Sequence, residues 1–530
     1  MSVRLDGARA ADAYERRLWV HSTLADALRE AALSEPTRTA LVDKDIRVDC
    51  RTLHAQASAL AHQLSTRMPV GSVVSFMLPN WHEAAVVYHG ATMAGMVVNP
   101  ILPSLRDREL RFILTDARSR MIFVPSEFGG HDYAAMLPRV TQQMTSPPEV
   151  VVVRGDGAEC HTPYAALLDA HTPRGLPALD PDAVRMILYT SGTSGQPKGV
   201  LHTHNSIHAL ICQIRDHWFV ESGDRFLVPS PIAHIGGSIY AFECPMLLGT
   251  TAVLMESWNA NDAVGLMVGE RCTHMAGATP FLVQLLAAAE RADTRLPDLK
   301  VFICGGASVS PSLIRRAAAY FDRAVVTRVY GSTEVPVTTV GATQPGDLDH
   351  AADTDGCAGI ADIKIAPHPS ASPGEGEICA RGPQMLSGYL HPTDDTVAFD
   401  YEGYFRTGDL GCWVDHDYLV VTGRAKEIII RNGENISPKE IEDILVGHPG
   451  IAEVAVVGLP DARTGERACA VIVPATTPWP DVAELGSFLT AEGVARFKAP
   501  EQVAIWESLP KNDAGKILKH QIRAVLIEGQ

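Results

Sequence analysis

Short apolar runs alternate with amphipathic stretches along most of the chain. The runs at 73–78, 121–125, 150–153, 226–228, 251–255 and 301–304 are aliphatic or β-branched, and helical patterns separate them. That alternation predicts layered α/β structure with largely parallel sheets. The run 184–190 is apolar enough for a buried strand, whereas 191–199 is built of Ser, Gly, Thr and Pro and predicts neither strand nor helix. Ile207, Leu210, Ile211 and Ile214 follow at i, i+3, i+4 and i+7, which places a helix behind a strand and a loop. Near Gly423 the texture changes. Residues 426–430 predict a short strand and 432–434 a turn, and Ser437-Pro438-Lys439-Glu440 predicts a helix start with a serine cap, an early proline and a capping-box glutamate. Ile441, Ile444 and Leu445 supply that helix with an apolar face, and 454–457 predicts a further strand. Two domains are expected, 1–422 and 423–530, with the boundary between Asp409 and Lys426.

Composition narrows the class. A chain of 530 residues exceeds what one hydrophobic core usually serves, so a cleft between domains is expected. A formal charge of -17 argues against a nucleic-acid groove or attraction to anionic membrane, while leaving room for a local basic site that holds phosphates. The ten cysteines form no Cys-x-x-Cys pair, so neither a zinc knuckle nor a disulfide framework is supported, and a reduced, cytoplasmic setting is expected. The most apolar stretch, 84–102, is broken by His89, Asn99 and Pro100, so no membrane span is expected.

The segment Tyr189-Thr190-Ser191-Gly192-Thr193-Ser194-Gly195-Gln196-Pro197-Lys198-Gly199-Val200 carries the most chemistry. Hydroxyls and glycines ending in one lysine make a loop whose backbone N–H groups can wrap phosphate oxygens. It is no P-loop, because Gly199 stands after Lys198 where a magnesium-holding hydroxyl would be needed. A flexible Ser/Gly turn is the plain alternative.

Further motifs follow in order: Pro229-Ser230-Pro231-Ile232-Ala233-His234, Tyr330-Gly331-Ser332-Thr333-Glu334, Tyr404-Phe405-Arg406-Thr407-Gly408-Asp409, Gly423-Arg424-Ala425-Lys426-Glu427-Ile428 with Gly433-Glu434-Asn435, and a terminal Leu509-Pro510-Lys511-Asn512-Asp513-Ala514-Gly515-Lys516. In this order the set resembles the adenylate-forming (ANL) superfamily of acyl-CoA synthetases, peptide-synthetase adenylation domains and luciferases, from about Thr23 onward. Pro79-Asn80-Trp81, Asn99-Pro100-Ile101-Leu102-Pro103, Gly277-Ala278-Thr279-Pro280-Phe281 and Cys304-Gly305-Gly306 look most like ligases for short-chain or alicyclic, cyclohexanecarboxylate-type acids.

The resemblance implies an α/β fold with a large N-terminal domain of layered sheets and helices, a small mobile α+β C-terminal domain, and an active site between them. It implies ATP and Mg2+ as cofactors and coenzyme A as co-substrate. On the matching positions, Thr190, Ser191, Gly192, Thr193, Ser194, Gly195 and Lys198 would grip the β- and γ-phosphates. Thr333 would hold the α-phosphate and Glu334 the magnesium ion. Gly305, Gly306 and Ala307, with Tyr330, Gly331 and Ser332, would bring backbone close to adenine and the acyl carbonyl. Asp409 would take the ribose hydroxyls, with Val421 and Arg424 near the nucleotide. Lys516 would bridge the attacking carboxylate and the α-phosphate, where its charge opposes their repulsion. Lys426 would be the hinge about which the small domain turns, exchanging the Lys516 loop for Gly433, Glu434 and Asn435 when the thiol attacks. Lys511 and Lys519 are expected to be solvated.

The resemblance puts the acyl pocket at His234, Ile235 and Gly236, with Gly277, Gly305 and Gly331. Amino-acid-activating relatives place an aspartate where Ile235 stands, and hydroxybenzoate activators often an asparagine. An apolar acid without an α-amine is therefore expected, since an ammonium buried against isoleucine would be unpaired. An acid–CoA ligase is the leading reading. The alternatives are an acyl-AMP ligase loading a separate acyl carrier protein, a luciferase-like oxygenase and, from another class, a non-catalytic nucleotide-binding regulator. A monomer or homodimer is expected.

Overall fold

A computed structural model describes residues 6–155, 161–169, 175–190, 197–306, 309–344, 346–432, 434–461, 463–512 and 515–528. Two large sheets carry most of the chain. One has seven strands in the order Val325–Val329, Val301–Gly305, His274–Gly277, Arg225–Val228, Thr251–Leu254, Thr39–Asp43 and Ile46–Asp49, parallel except for the last pair. The other has eight: Gly388–Tyr389, Lys198–Thr203, Val184–Thr190, Val97–Pro100, Val73–Phe76, Ser119–Pro125, Glu149–Val153 and Thr162–Pro163.

The two-residue alternation of a strand explains the layering. Met121 and Phe123 belong to a core cluster that also takes in Phe226 and Val228 of the other sheet, while Ile122 and Val124 point to a second cluster. Leu227 likewise leaves the shared core for a third, with Met275, Phe302 and the helices Ala260–Gly269 and Thr279–Arg291. The helix His82–Met93 is buried from Ala84 through Met93, as a helix between two sheets must be. Each large sheet is therefore covered on both faces, which is why its strands read as continuous apolar runs.

The phosphate-loop scaffold differs from the strand–loop–helix expectation. Lys198–Thr203 is itself a strand, antiparallel to Val184–Thr190, and the helix His204–His217 begins only after it. Lys198 and Gly199 pair with Thr190 and Tyr189, so the strands on either side of 191–196 are antiparallel neighbours. Gly199 is needed there because a Cβ would meet Ile187 and Leu390 at 3.1 Å.

A four-stranded antiparallel sheet follows, Asp362–Ala366, Gly376–Arg381, Phe405–Val414 and Tyr418–Arg424. Its last strand continues through Gly423 and Arg424, past the expected division at 422, because Leu410 pairs with Gly423 and Asp409 with Arg424. The chain then turns, Glu427 N donating to Arg424 O at 2.9 Å, and Ile429–Arg431 opens a separate sheet with Glu434–Ile436, Gly465–Pro474, Ile451–Asp461 and Gln502–Ile505. Ser437 caps the helix Pro438–Leu445 by accepting from Glu440 N, and Ile441 and Leu445 fill the core beneath it. The helix Lys519–Glu528 covers the opposite face through Ile522. The whole is a mixed α/β fold with a large N-terminal domain and a smaller C-terminal one.

Candidate active site

The carboxylate of Asp409 is the best-anchored group of the predicted set. It is buried; Tyr330 donates its hydroxyl to Oδ2 at 2.7 Å, and Arg424 Nε lies 2.9 Å from Oδ1. The register of the four-stranded sheet sets this pair, since Asp409 and Arg424 are opposite one another in adjacent strands. Val421 N donates to Asp355 Oδ2 at 2.8 Å, and Arg328 holds the other oxygen of Asp355 at 2.7 Å. The segment that carries Tyr330 is stitched to the same place, Tyr330 N donating to Thr339 Oγ1 at 2.8 Å. Neither Asp355 nor Thr339 belongs to a motif, so nothing in the linear sequence marks them. Asp409→Asn removes a charged acceptor from two donors and is expected to raise KM for ATP about tenfold or more, read by steady-state kinetics at saturating acid.

Thr333 and Glu334 sit on the connection after the strand Val325–Val329. His202, fully buried on the hairpin strand, donates from Nε2 to Thr333 O at 2.8 Å; burial pushes its pKa down to about 4, so the ring is neutral. Leu386 N donates to Glu334 O at 2.7 Å, and Tyr389 gives its hydroxyl to Glu334 Oε1 at 3.0 Å. A carboxylate held by a tyrosine rather than by a cation, next to a threonine hydroxyl, is a hard-oxygen donor set that fits Mg2+. Gly331 has no room for a side chain, a Cβ meeting Val337 N at 2.7 Å. Gly305 is likewise closed off by Val329 at 2.9 Å, and Gly306 adopts φ +81°. Lys198 pairs with Asp394 at 2.9 Å, its ammonium 5.3 Å from the Tyr389 ring centre. Ser191, Gly192, Thr193, Ser194, Gly195, Ala307 and Gly433 lie outside the described residues. Thr190 ends its strand beside Lys198, Ser332 Oγ accepts from Val335 N at 3.2 Å, and Glu434 and Asn435 form the small domain's edge hairpin with Arg431 and Ile430.

Lys516 comes from the far end of the chain into electrostatic reach of Asp409 and Arg424. Burial and the Arg424 charge hold its ammonium below the ordinary lysine value, against the pull of Asp409 and Glu427. Its loop is closed on itself, Lys516 N donating to Asn512 Oδ1 at 2.8 Å and Asn512 N to Lys516 O at 2.9 Å. Gly515 lies against Pro280 of the large domain, where a Cβ would stand 3.3 Å away. The expectation of a solvated lysine holds at 511, an exposed residue that pairs with Glu453 at 2.7 Å, and is corrected at 519, which is largely buried between Glu442 and Glu427.

His234 stands at the start of the helix Ile235–Ser238, its backbone carbonyl accepting from Gly237 N and Ser238 N at 2.9 Å. Asn80 holds the approach to it, donating to Val228 O and Ser230 O and accepting from Ile232 N at 3.1 Å. Gly237 touches Pro231 O, which a Cβ would meet at 2.2 Å, whereas Gly236 faces open space. A cavity of about 400 Å³ lies beside this segment, walled by Leu78, Leu102, Phe128, Trp258 and Phe281 and closed on one side by Lys511, Asn512 and Gly515. Gly277 is not part of the wall, and a Cβ there would meet Phe281 at 2.5 Å.

One other polar cluster among the described residues has the makeup of a metal site. Asp43, His82 and Glu83 come together, but Arg154 Nη2 lies 2.6 Å from Asp43 and 2.7 Å from Glu83, so an arginine already neutralises the acids. The nine cysteines among the described residues are free. No described helix is long and apolar enough to cross a membrane.

The AMP-binding enzyme family profile matches residues 28–390, and the profile of its C-terminal domain matches 440–516. The chain belongs to this family. The AMP-binding enzyme is 33% identical over 532 residues to the medium-chain fatty-acid–CoA ligase of Escherichia coli (strain K12), covering 96% of this chain and 91% of that one. It is 31% identical over 508 residues to the fatty acid–[acyl-carrier-protein] ligase ScoC of Streptomyces coeruleorubidus, covering 93% and 94%. Among solved structures, ATP-bound MatB from Rhodopseudomonas palustris matches with a TM-score of 0.84 at 26% identity, covering 96% of this chain and 99% of that one. The apo form of MatB matches at 0.74. This AMP-binding enzyme is an adenylate-forming ligase of the acyl-CoA synthetase type.

Proposed function

We propose that the enzyme joins an apolar carboxylic acid to coenzyme A in two steps. In the first, an oxygen of the acid attacks the α-phosphorus of ATP; the new P–O bond forms as the bond to pyrophosphate breaks. The observation that carries this reading is Lys516 brought from the small domain to the Asp409–Arg424 pair. An ammonium there can lie between two anions that otherwise repel. Burial and the neighbouring Arg424 charge lower its pKa. Asp409 would accept from the ribose hydroxyls, Thr333 would donate to the α-phosphate, and Glu334 would hold Mg2+, which supplies charge neutralisation on the triphosphate. The closer match to ATP-bound than to apo MatB supports a conformation of the adenylating kind.

In the second step the thiol of coenzyme A attacks the acyl carbonyl, a C–S bond forms, and AMP leaves with the former carboxylate oxygen. The cavity bordered by Lys511, Asn512 and Gly515 supports a route for that thiol: it is largely apolar, it touches Pro229 and Pro231 of the motif that ends at His234, and it would widen if the Lys516 loop withdrew. Rotation between Arg424 and Ile429, with Lys426 as hinge, would withdraw it and bring Glu434 and Asn435 forward. The division at 422 accordingly moves to the 425–428 link in this reading.

Ile235 beside open space at Gly236 supports an acid without an α-amine, of short to medium chain or alicyclic. AMP release should be measured over a panel of carboxylic acids, with free coenzyme A or a holo carrier protein as acceptor. Release with an apolar acid and coenzyme A is expected; release that needs the carrier and ignores coenzyme A favours the carrier-loading alternative, for which likeness to ScoC is the supporting observation. Gly236→Trp fills the open space without a backbone clash and is expected to raise KM for longer acids about tenfold or more while sparing short ones, a shift read from the same panel.

A further inference from the structure

Three residues after Lys516, the helix Lys519–Glu528 begins with a lysine. A cation at a helix N-terminus opposes the peptide dipole, so helix formation gives no reason for it. Its side chain is nevertheless only 18% exposed. Lys519 Nζ lies 2.8 Å and 2.9 Å from the two oxygens of Glu442 and 3.2 Å from Glu427 Oε2. Glu442, buried on the helix Pro438–Leu445, also accepts from Val456 N at 2.6 Å on the edge strand Ile451–Asp461 of the small sheet. Glu427 belongs to the turn that leaves the large domain, its own N–H bonded to Arg424 O.

The cluster joins three pieces of chain: the inter-domain link, the capped helix and the segment just beyond Lys516. Taking such charges out of water costs as much as their attraction returns, so stability alone does not account for them. What a cluster of this kind supplies is a fixed geometry. Asn512 and Lys516 are tied to each other by two hydrogen bonds, and Ile522 seats the following helix in an apolar core. Lys519 is the attachment between those two, and its charge, with those of Glu427, Asp409 and Arg424, acts on Lys516.

We propose that Lys519, Glu427 and Glu442 form a positioning clamp that registers the Lys516 loop against the inter-domain link, so that loop and link turn as one body. The inference rests on the reading of Lys516 as the cation of adenylation. All three residues lie on the small-domain side of Lys426, so the clamp stays intact when the domain rotates. Lys519 touches no substrate and acts through Lys516.

The test compares the two half-reactions in the full-length chain. Lys519→Met is expected to slow acyl-adenylate formation about tenfold or more, because a small displacement of an aligned charge is costly, and to change thioester formation from supplied acyl-adenylate far less. Lys519→Met leaves Glu442 buried without its cation, so the double variant Lys519→Met/Glu442→Gln is measured beside it. Thermal stability should recover in the double variant while adenylation stays slow, and Lys519→Arg should restore much of the rate. Equal loss in both half-reactions, or adenylation recovering together with stability in the double variant, overturns the clamp and leaves a structural ion pair. Lys516→Ala is the control: if it leaves adenylation intact, the underlying reading fails instead.

Discussion

Replacing Lys516 by alanine is expected to lower acyl-adenylate formation by about a hundredfold or more. Thioester formation from supplied acyl-adenylate should stay near that of the parent enzyme. The asymmetry follows from where the charge is needed. During adenylation a carboxylate approaches a polyphosphate, and Lys516, attracted by Asp409 and repelled by Arg424, is in the proposed reading the cation that offsets that repulsion. Once the adenylate exists, the reacting partners are a thiol and an uncharged carbonyl, and the loop that carries Lys516 stands in the way. Single-turnover measurements of pyrophosphate release and of thioester formation separate the two. Equal loss in both would contradict the assignment of Lys516 to one half-reaction.

Arg185→Met is expected to destabilise the large domain by about 3–5 kcal/mol, because it leaves a buried carboxylate without its cation. Arg185 and Glu243 are almost wholly buried, 2.5 Å apart, and Tyr88 donates its hydroxyl to the same Glu243 oxygen. Burial alone would lower the Arg185 pKa; the Glu243 charge overcomes that and raises it. Glu243 closes the π-helical turn Ile239–Glu243, which continues directly from the helix that follows His234. Such turns occur where a helix is re-aimed near a working site. The pair therefore fixes how the Gly236 segment faces the cavity, and loss of Arg185 should raise KM for the acid as well as lower the denaturation midpoint. In Arg185→Met/Glu243→Met the orphaned charge is gone and more than half of the stability should return, by chemical denaturation. A double variant no more stable than the single one would assign the loss to packing.

Much of the fold was legible because strands buried on both faces announce themselves as apolar runs. The runs at 121–125, 226–228 and 301–304 all lie in the two large sheets, and the Ser437 cap opens its helix where the spacing placed it. The hairpin at Lys198 was missed for a physical reason: its strand opens with Lys-Gly, and only pairing with Val184–Thr190 makes those residues extended. Motif order brought Asp409, Arg424 and Lys516 together before any geometry did. The residues that hold the site were harder to see, since Asp355, Tyr389 and Lys519 act by contacts across long stretches of chain. Lys519 shows the difficulty most plainly. In a sequence it is one more surface lysine, and only the fold reveals two carboxylates waiting for it.

The central claim is that an acyl-adenylate forms before coenzyme A is engaged. Exchange of labelled pyrophosphate into ATP, measured with the preferred acid and without coenzyme A, tests it most directly. Acid-dependent exchange in the absence of the thiol, abolished in Lys516→Ala, is the predicted result. Turnover that yields ADP and phosphate, or exchange that appears only when coenzyme A is present, would contradict it.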